Sequence, residues 1–297
     1  MSSATAAPLS SAVASIEDAV AVDRLATRIE VPCAEGTMVW RRWGAGESRG
    51  APVVLLHGGA GSWNHWVRNI APLVAAGRQV RAPDLPGFGE SARPAGCTDA
   101  DALPEPVEAG LQAVLGDAAC DLVGFSFGGM VAGFVAARFP RRVRRLVLVG
   151  APGLGIAGDR VLDLRAWRHL PEGGSRDAVH RANLAALMLA SPESIDDLAV
   201  ALHASNLSRD RMLRRRIART DILRRTLPGT RCPVHGIWGA RDALFLGHQA
   251  SIAPALATAP GFRSLAFIAE AGHWVQFERA PAFDEALAAS LAPDAAV

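Results

Sequence analysis

The chain has 297 residues, half of them hydrophobic and a fifth charged, and its formal net charge is only +2. This length fits one large domain or a domain that carries an insertion. The balanced composition excludes a disordered chain and a basic surface spanning the whole protein, so we expect a small-molecule substrate and no nucleic-acid partner.

Targeting and metal signals are absent from the sequence. The cysteines lie far apart and form no Cys-x-x-Cys pair: Cys33, Cys97, Cys120 and Cys232. This spacing predicts no metal or redox site and fits a reducing compartment. Residues 1–22 are rich in Ala and Ser, but Glu17 and Asp18 interrupt them, which predicts a flexible tail rather than a signal peptide. No run reaches the roughly 18 apolar residues of a membrane span, so we expect a cytoplasmic protein without a membrane partner.

The predicted elements begin with an antiparallel strand pair and continue as strands that alternate with helices. Eight strands are predicted, at 27–31, 37–43, 53–56, 79–82, 120–123, 145–149, 234–238 and 264–268. Helices are predicted at 103–115, 129–138, 247–257 and 282–291. Such alternation predicts the α/β class, with a mostly parallel eight-stranded sheet covered by helices on both faces.

One long interval breaks this alternation. Between about residues 153 and 228, helical patterns follow one another without a convincing strand. We therefore predict a helical cap at 153–228 that is inserted into a core domain formed by 23–152 and 229–297.

A serine stands at the turn between the fifth predicted strand and the next helix. Ser126 is flanked two residues before and two after by glycine, in Gly124-Phe125-Ser126-Phe127-Gly128. This pattern is typical of a nucleophile elbow, in which a strained turn exposes the serine Oγ and the amide of the following residue can stabilise an oxyanion. Three fixed positions in five recur by chance, so the rest of the chain must support the interpretation.

An acid and a histidine follow the serine, each after a later strand. Asp242 comes just past the strand at 234–238, and His273 lies in a Gly-marked loop after the strand at 264–268. The carboxyl ends of parallel strands meet at one edge of the sheet, so the three side chains should converge, with His273 as base and Asp242 as its orienting acid. The alternatives are an Asx turn for Asp242 and a structural or solvated imidazole for His273.

A Gly-rich turn follows the third predicted strand, in His57-Gly58-Gly59-Ala60-Gly61. A second oxyanion amide is expected here, from Gly59 or Ala60. The alternative is that these glycines only form a tight turn. His57 is interpreted as structural.

Taken in order, these motifs resemble the α/β-hydrolase superfamily over about residues 53–291. The resemblance implies that Ser126 is the nucleophile, Asp242 the acid and His273 the base, with the amides of Phe127 and of Gly59 or Ala60 as the oxyanion hole. It implies no cofactor and no metal.

Within that superfamily the segment at 272–279 is similar to the meta-cleavage-product hydrolases, which cut a carbon–carbon bond in dienoic keto acids. In that family a cap arginine binds the substrate carboxylate, and the resemblance nominates Arg216; the alternative is a solvated basic face over 209–225. Two features depart from the family. Phe125 stands where those enzymes have Asn, and the loop at 60–66 lacks their Gly-Pro-Gly element.

Aromatic side chains near these motifs suggest an apolar or aromatic substrate. Trp63, Trp66, Phe125 and Trp274 are candidates for a binding pocket below the cap. Ordinary core packing is the alternative for each.

The sequence thus favours a carboxylesterase-like serine hydrolase that forms an acyl-enzyme with a small ester, thioester or lactone. Carbon–carbon hydrolysis of a meta-cleavage-type keto acid is the first alternative. A hydrolase-like protein that only binds a small ligand is the second, since fold does not fix function.

Overall fold

The computed structural model describes residues 13–44, 46, 48–156, 162–212 and 214–293. Its centre is one eight-stranded sheet with the order β1-β2-β4-β3-β5-β6-β7-β8, which confirms the predicted fold class. The strands are β1 Thr27–Cys33, β2 Gly36–Trp43, β3 Val53–Leu56, β4 Val80–Pro83, β5 Cys120–Phe125, β6 Val143–Val149, β7 Val234–Gly239 and β8 Phe262–Ile268. β2 runs antiparallel to both of its neighbours, and all other pairs are parallel.

Ten α-helices accompany the sheet in the described part of the chain. They are α1 Ile16–Arg24, α2 Ile70–Ala75, α3 Pro104–Leu115, α4 Phe127–Arg138, α5 Gly174–Asn183, α6 Asp197–Ser208, α7 Ile222–Thr226, α8 Ile252–Leu256, α9 Val275–Glu278 and α10 Ala280–Leu291. Among the residues described, no helix is both long and apolar enough to cross a membrane.

The central strands are buried on both faces because two apolar layers enclose the sheet. Val54 and Leu56 of β3 point into one hydrophobic cluster, and Val53 and Leu55 point into the other. All four side chains are fully buried. Burial on both faces explains why the sequence of β3 is an uninterrupted apolar run. β3 pairs with β5 in parallel, so the carboxyl ends of the two strands lie side by side.

The helix predicted at 247–257 is shorter in the structure. Gly247 has a φ of 83°, which lies outside the helical region, so a helix cannot include it. A short 3₁₀ turn at Gln249–Ser251 leads instead into α8.

The prediction of a flexible tail to residue 22 is wrong for its last part. Ser15 caps α1 by accepting a hydrogen bond from the Asp18 amide, and the Asp18 side chain accepts from the Ser15 amide in return. Acidic residues favour the first turn of a helix, so the residue taken as an interruption stabilises the helix start. Val22 is buried, and its carbonyl accepts the Trp43 indole N–H at 2.8 Å. Residues 1–12 lie outside the described residues.

A helical insertion separates β6 from β7, which are neighbours in the sheet. Its described residues, 150–156, 162–212 and 214–233, form helices, turns and irregular segments, with no strand among them. Asp99 of the core accepts the backbone amides of Arg216 and Ile217 at 2.5 and 3.1 Å. Asn206 of α6 donates to Asn64 at 2.8 Å. The insertion is thus hydrogen-bonded to the core, while the predicted cap boundaries stay a prediction.

Candidate active site

The turn between β5 and α4 holds Ser126 in a strained conformation, with φ 51° and ψ −117°. A Cβ on Gly124 would overlap the carbonyl oxygen of Gly128, and a Cβ on Gly128 would overlap the carbonyls of Leu56 and His57. The two glycines therefore let the strand, the helix and the end of β3 approach one another. Backbone strain of this kind is characteristic of functional sites.

Ser126 differs from its neighbours in exposure. Every other residue from Cys120 to Met130 is buried, whereas Ser126 is partly accessible. The turn therefore presents the Oγ at the surface of a close-packed region.

Ser126, His273 and Asp242 form one hydrogen-bonded chain. The Nε2 of His273 lies 2.9 Å from the Oγ of Ser126, and its Nδ1 lies 2.8 Å from Oδ2 of Asp242. The other carboxylate oxygen of Asp242 accepts the Leu244 amide at 2.9 Å. Both His273 and Asp242 are almost completely buried. The carboxylate thus orients the imidazole so that Nε2 faces the serine.

Space for this chain depends on the residue that follows β6. Gly150 has a φ of 53°, and a Cβ there would stand 3.2 Å from Nδ1 of His273 and 3.3 Å from Oδ2 of Asp242. A side chain at this position would press on the hydrogen bond between the two. Gly150 therefore belongs to the site, although the sequence reading gave it no role.

The backbone amides of Phe127, Gly59 and Ala60 have no hydrogen-bond acceptor in the part of the chain that the structure describes. Phe127 is the first residue of α4, where helix geometry leaves the amide unpaired. In the loop after β3, Gly58 donates its amide to Nδ1 of His65 at 3.2 Å, so this amide is already used. Ala60 has a φ of 48°, a strained value for alanine. The oxyanion role of the amides of Phe127 and of Gly59 or Ala60 stays a prediction.

His57 and His65 brace this loop as neutral side chains. His57 accepts the Leu85 amide at Nε2, 2.8 Å away, and its Nδ1 lies 2.7 Å from the carbonyl of Gly58. Burial lowers the pKa of His57 to about 4 and holds the pKa of His65 well below its usual range. The structural role predicted for His57 agrees with these bonds.

Phe125 packs beside His273. Its ring is fully buried and lies 5.0 Å from the ring of His273 and 5.5 Å from that of His65, centroid to centroid. A Cβ on Gly58 would come within 2.8 Å of the Phe125 ring. The side chain therefore fills the space between the loop after β3 and the imidazole.

The tryptophans nominated for substrate binding have the surroundings of core residues. Trp66 is fully buried between Phe125 and Phe283, and Trp63 packs on Trp43. Their binding role stays a prediction that this packing does not support.

Trp274 is also buried, and its indole N–H donates to the carbonyl of His65 at 3.0 Å. Its ring stacks on Phe277 at 4.2 Å. Trp274 thus links the histidine loop to the loop after β3, and no contact in the described structure places it at an entrance.

Arg215, the neighbour of the nominated Arg216, lies against the loop after β3, while the substrate-binding role of Arg216 stays a prediction that its exposure does not support. Arg216 is exposed, and its backbone amide makes the contact with Asp99 described above. Arg215 is half-buried, and a Cβ on Gly59 would lie 3.2 Å from its Nε. Asp210 accepts a hydrogen bond from Nη1 of Arg215 at 2.7 Å. One face of this guanidinium therefore covers the loop that carries the free amides.

No cluster of three or more His, Cys, Asp or Glu suited to a metal occurs among the described residues. Sequence reasoning also missed Glu278, a buried carboxylate one turn after His273. The one signal for it is its place in the segment at 272–279.

Known proteins share the fold described above. Residues 51–177 match a family model described as alpha/beta hydrolase fold. The chain is 31% identical to 2-hydroxymuconate semialdehyde hydrolase from Pseudomonas sp. strain CF600, covering 79% of this chain and 84% of that protein. It is also 31% identical to a dihydrolipoyllysine-residue acetyltransferase component of an acetoin cleaving system from Pseudomonas putida, over 86% of this chain and 67% of the relative.

Among solved structures, the enol-lactonase from Burkholderia xenovorans LB400 has a similar fold, with a TM-score of 0.68 and 24% identity. That likeness covers 86% of this chain and 96% of the enol-lactonase.

Proposed function

Because the chain belongs to the alpha/beta hydrolase fold family, we propose that it is a serine hydrolase of a small ester, thioester or lactone. The observation that carries this proposal is the unbroken chain of hydrogen bonds from Ser126 through His273 to Asp242. Such a chain activates a serine that would otherwise be a weak nucleophile.

The proposed reaction begins with attack of Ser126 Oγ on the substrate carbonyl carbon. Nε2 of His273 takes the serine proton, and Asp242 stabilises the imidazolium that results. The amides of Phe127 and of Gly59 or Ala60 would donate to the developing oxyanion. The tetrahedral intermediate collapses as the imidazolium protonates the leaving alcohol or thiol, leaving an acyl-enzyme. Water, deprotonated by His273, then releases the acid and restores Ser126.

Phe125 supports ester chemistry over carbon–carbon cleavage. The residue before the serine offers no hydrogen bond to a substrate, and its ring packs on His273. An acyl-enzyme route for an ester needs only Ser126, the pair of His273 and Asp242, and the oxyanion amides.

Carbon–carbon hydrolysis of a dienoic keto acid is the second candidate. The relative with 84% of its length covered is named a 2-hydroxymuconate semialdehyde hydrolase, and others are named as hydrolases of related oxo-dienoates. Arg215 beside Gly59 would offer a cation to a substrate carboxylate. These observations support this candidate about as well as Phe125 supports the first.

Turnover of two substrates separates the candidates. Purified protein would be assayed with p-nitrophenyl butyrate and with a 2-hydroxy-6-oxo-dienoate, with Ser126→Ala as the control for background. We expect the larger kcat/KM on the ester, and turnover of the keto acid alone would reject that choice. A fluorophosphonate probe tests whether Ser126 is a reactive nucleophile. Failure to label Ser126 would favour the alternative of a protein that only binds a small ligand.

A further inference from the structure

The loop that carries His273 is held on both sides of the histidine, directly by the helical insertion at Trp274 and through Glu278 at Gly272. The Trp274 amide donates to the carbonyl of Met188 at 2.8 Å. On the other side, the Gly272 amide donates to Oε2 of Glu278 at 2.6 Å. Met188 ends a short π-helical turn at Leu184–Met188 of the insertion. The main chain at His273 is therefore fixed from both neighbours.

Glu278 joins this loop to the insertion through a single carboxylate. Besides Gly272, it accepts the amides of Ala190 at 2.9 Å and Ser191 at 2.7 Å, both on Oε1. The carboxylate is buried, and within the described part of the chain it has no ion-pair partner. Charge-assisted hydrogen bonds of this kind are stronger than neutral ones. Three backbone N–H groups therefore replace a cation as the counterpart of this charge.

The contact is too close for any residue but glycine at position 272. A Cβ there would come within 2.8 Å of the Ala190 nitrogen and 2.9 Å of the Met188 carbonyl. The insertion backbone and the histidine loop are thus packed directly against each other, with Glu278 bonded to both.

We propose that Glu278 is a positioning residue that holds the imidazole of His273 in line with Ser126 only while the 188–191 segment of the insertion is docked. This inference rests on the proposed function, in which His273 is the base. When the segment is displaced, the carboxylate loses two of its three donors, and Gly272 loses its fixed partner. Placement of the base is thereby coupled to closure of the insertion.

Glu278→Gln tests the proposal, since glutamine keeps the size but turns one acceptor oxygen into a donor that faces backbone N–H groups. Displacement of a reacting group by about 1 Å can cost on the order of 100-fold, so we expect kcat to fall about 10- to 100-fold with KM within about 3-fold. Asp99→Asn is the matched control, because Asp99 also accepts two amides of the insertion but makes no hydrogen bond to the histidine loop among the described residues. Its kcat should stay within about 2-fold of wild type.

Ser191→Pro provides a second variant, which removes one amide donor from the insertion side only. Ser191→Ala is its control, since it keeps the amide and loses only the hydroxyl contact with Arg279. We expect a lower kcat for the proline variant and an unchanged kcat for the alanine variant. If Glu278→Gln does not fold, this pair decides alone. Folded Glu278→Gln or Ser191→Pro protein with wild-type kcat would overturn the proposal.

A proton NMR measurement keeps this test separate from the proposed function. The Nδ1 proton shared by His273 and Asp242 should give a downfield signal that His273→Ala removes. We expect Glu278→Gln to broaden or shift this signal and Asp99→Asn to leave it in place. Wild-type protein that neither hydrolyses an ester nor reacts with the fluorophosphonate rejects the proposed function, whereas an unchanged signal in Glu278→Gln rejects the positioning role.

Discussion

Asp242 uses its two carboxylate oxygens for different bonds, one to the imidazole of His273 and one to the amide of Leu244. The second bond fixes the carboxylate in the plane where Nδ1 can donate. Asparagine could keep the amide bond and still fail to stabilise an imidazolium. The charge and the orientation of this residue therefore contribute separately.

For Asp242→Asn we expect kcat on p-nitrophenyl butyrate to fall about 10⁴-fold, because the wrong imidazole tautomer would be favoured. Glu270→Gln, assayed in the same way, is the control, because Glu270 is an exposed carboxylate before the histidine loop. A loss of less than about 10-fold in Asp242→Asn would show that the carboxylate does not serve the imidazole.

The hydrogen-bonded chain of Ser126, His273 and Asp242 could be predicted because their motifs have a fixed order along the sequence. Arg215 could not, since the segment around it has no regular period and spacing does not tell which of two adjacent arginines turns inward. Gly150 was missed for a different reason. Its role is to leave space for two side chains that are distant in sequence, and no local pattern records that.

At the scale of elements, β5 and α4 form the rigid part of the site. β5 pairs with β3 and β6, and α4 packs on it through Gly124 and Gly128. The serine turn between them therefore has little freedom to relax.

We expect Gly128→Ala to lower the free energy of unfolding by about 3 kcal/mol, because the new methyl would overlap two carbonyls at the end of β3. Urea denaturation measures the loss. Gly174→Ala is the control, since no atom lies within 4 Å of a Cβ at the start of α5. Equal stability of the two variants would contradict the close packing at the elbow.

The strands were predicted well because burial on both faces imposes continuous apolar runs. α1 was missed because its amphipathic face is short and its capping residues, Ser15 and Asp18, also fit a polar tail. Only the docking of Val22 beside Trp43 distinguishes the two. Such a contact between distant segments cannot be found by local periodicity.

At the scale of the whole molecule, a partly buried acid in the last helix makes stability depend on pH. Burial raises the pKa of Asp284 from 3.8 to about 7, and the hydrogen bond from Asn69 opposes this only in part. Between pH 3.8 and about 7, Asp284 therefore keeps its proton in the folded state, whereas the unfolded chain releases it. The stability that comes from this protonation is fully present below pH 3.8 and is lost as the pH rises through about 7.

Asp284→Asn should remove this penalty and stabilise the protein at pH 8 by on the order of 2 to 4 kcal/mol, with little effect at pH 4. Thermal or urea unfolding at the two pH values provides the measurement. Glu285→Gln, the exposed neighbour, should show no such difference. A stabilisation that is equal at both pH values would contradict the raised pKa.

Two of the contacts that join the insertion to the core are made by carboxylates, Glu278 and Asp99, and both bind main-chain N–H groups. Every residue except proline supplies such a group, so these bonds place few demands on the side chains at 190–191 and 216–217. Substitutions at these four positions, proline apart, therefore leave both carboxylates with their backbone donors. Proline at 190, 191, 216 or 217 is the substitution that would remove a donor from one of the two carboxylates.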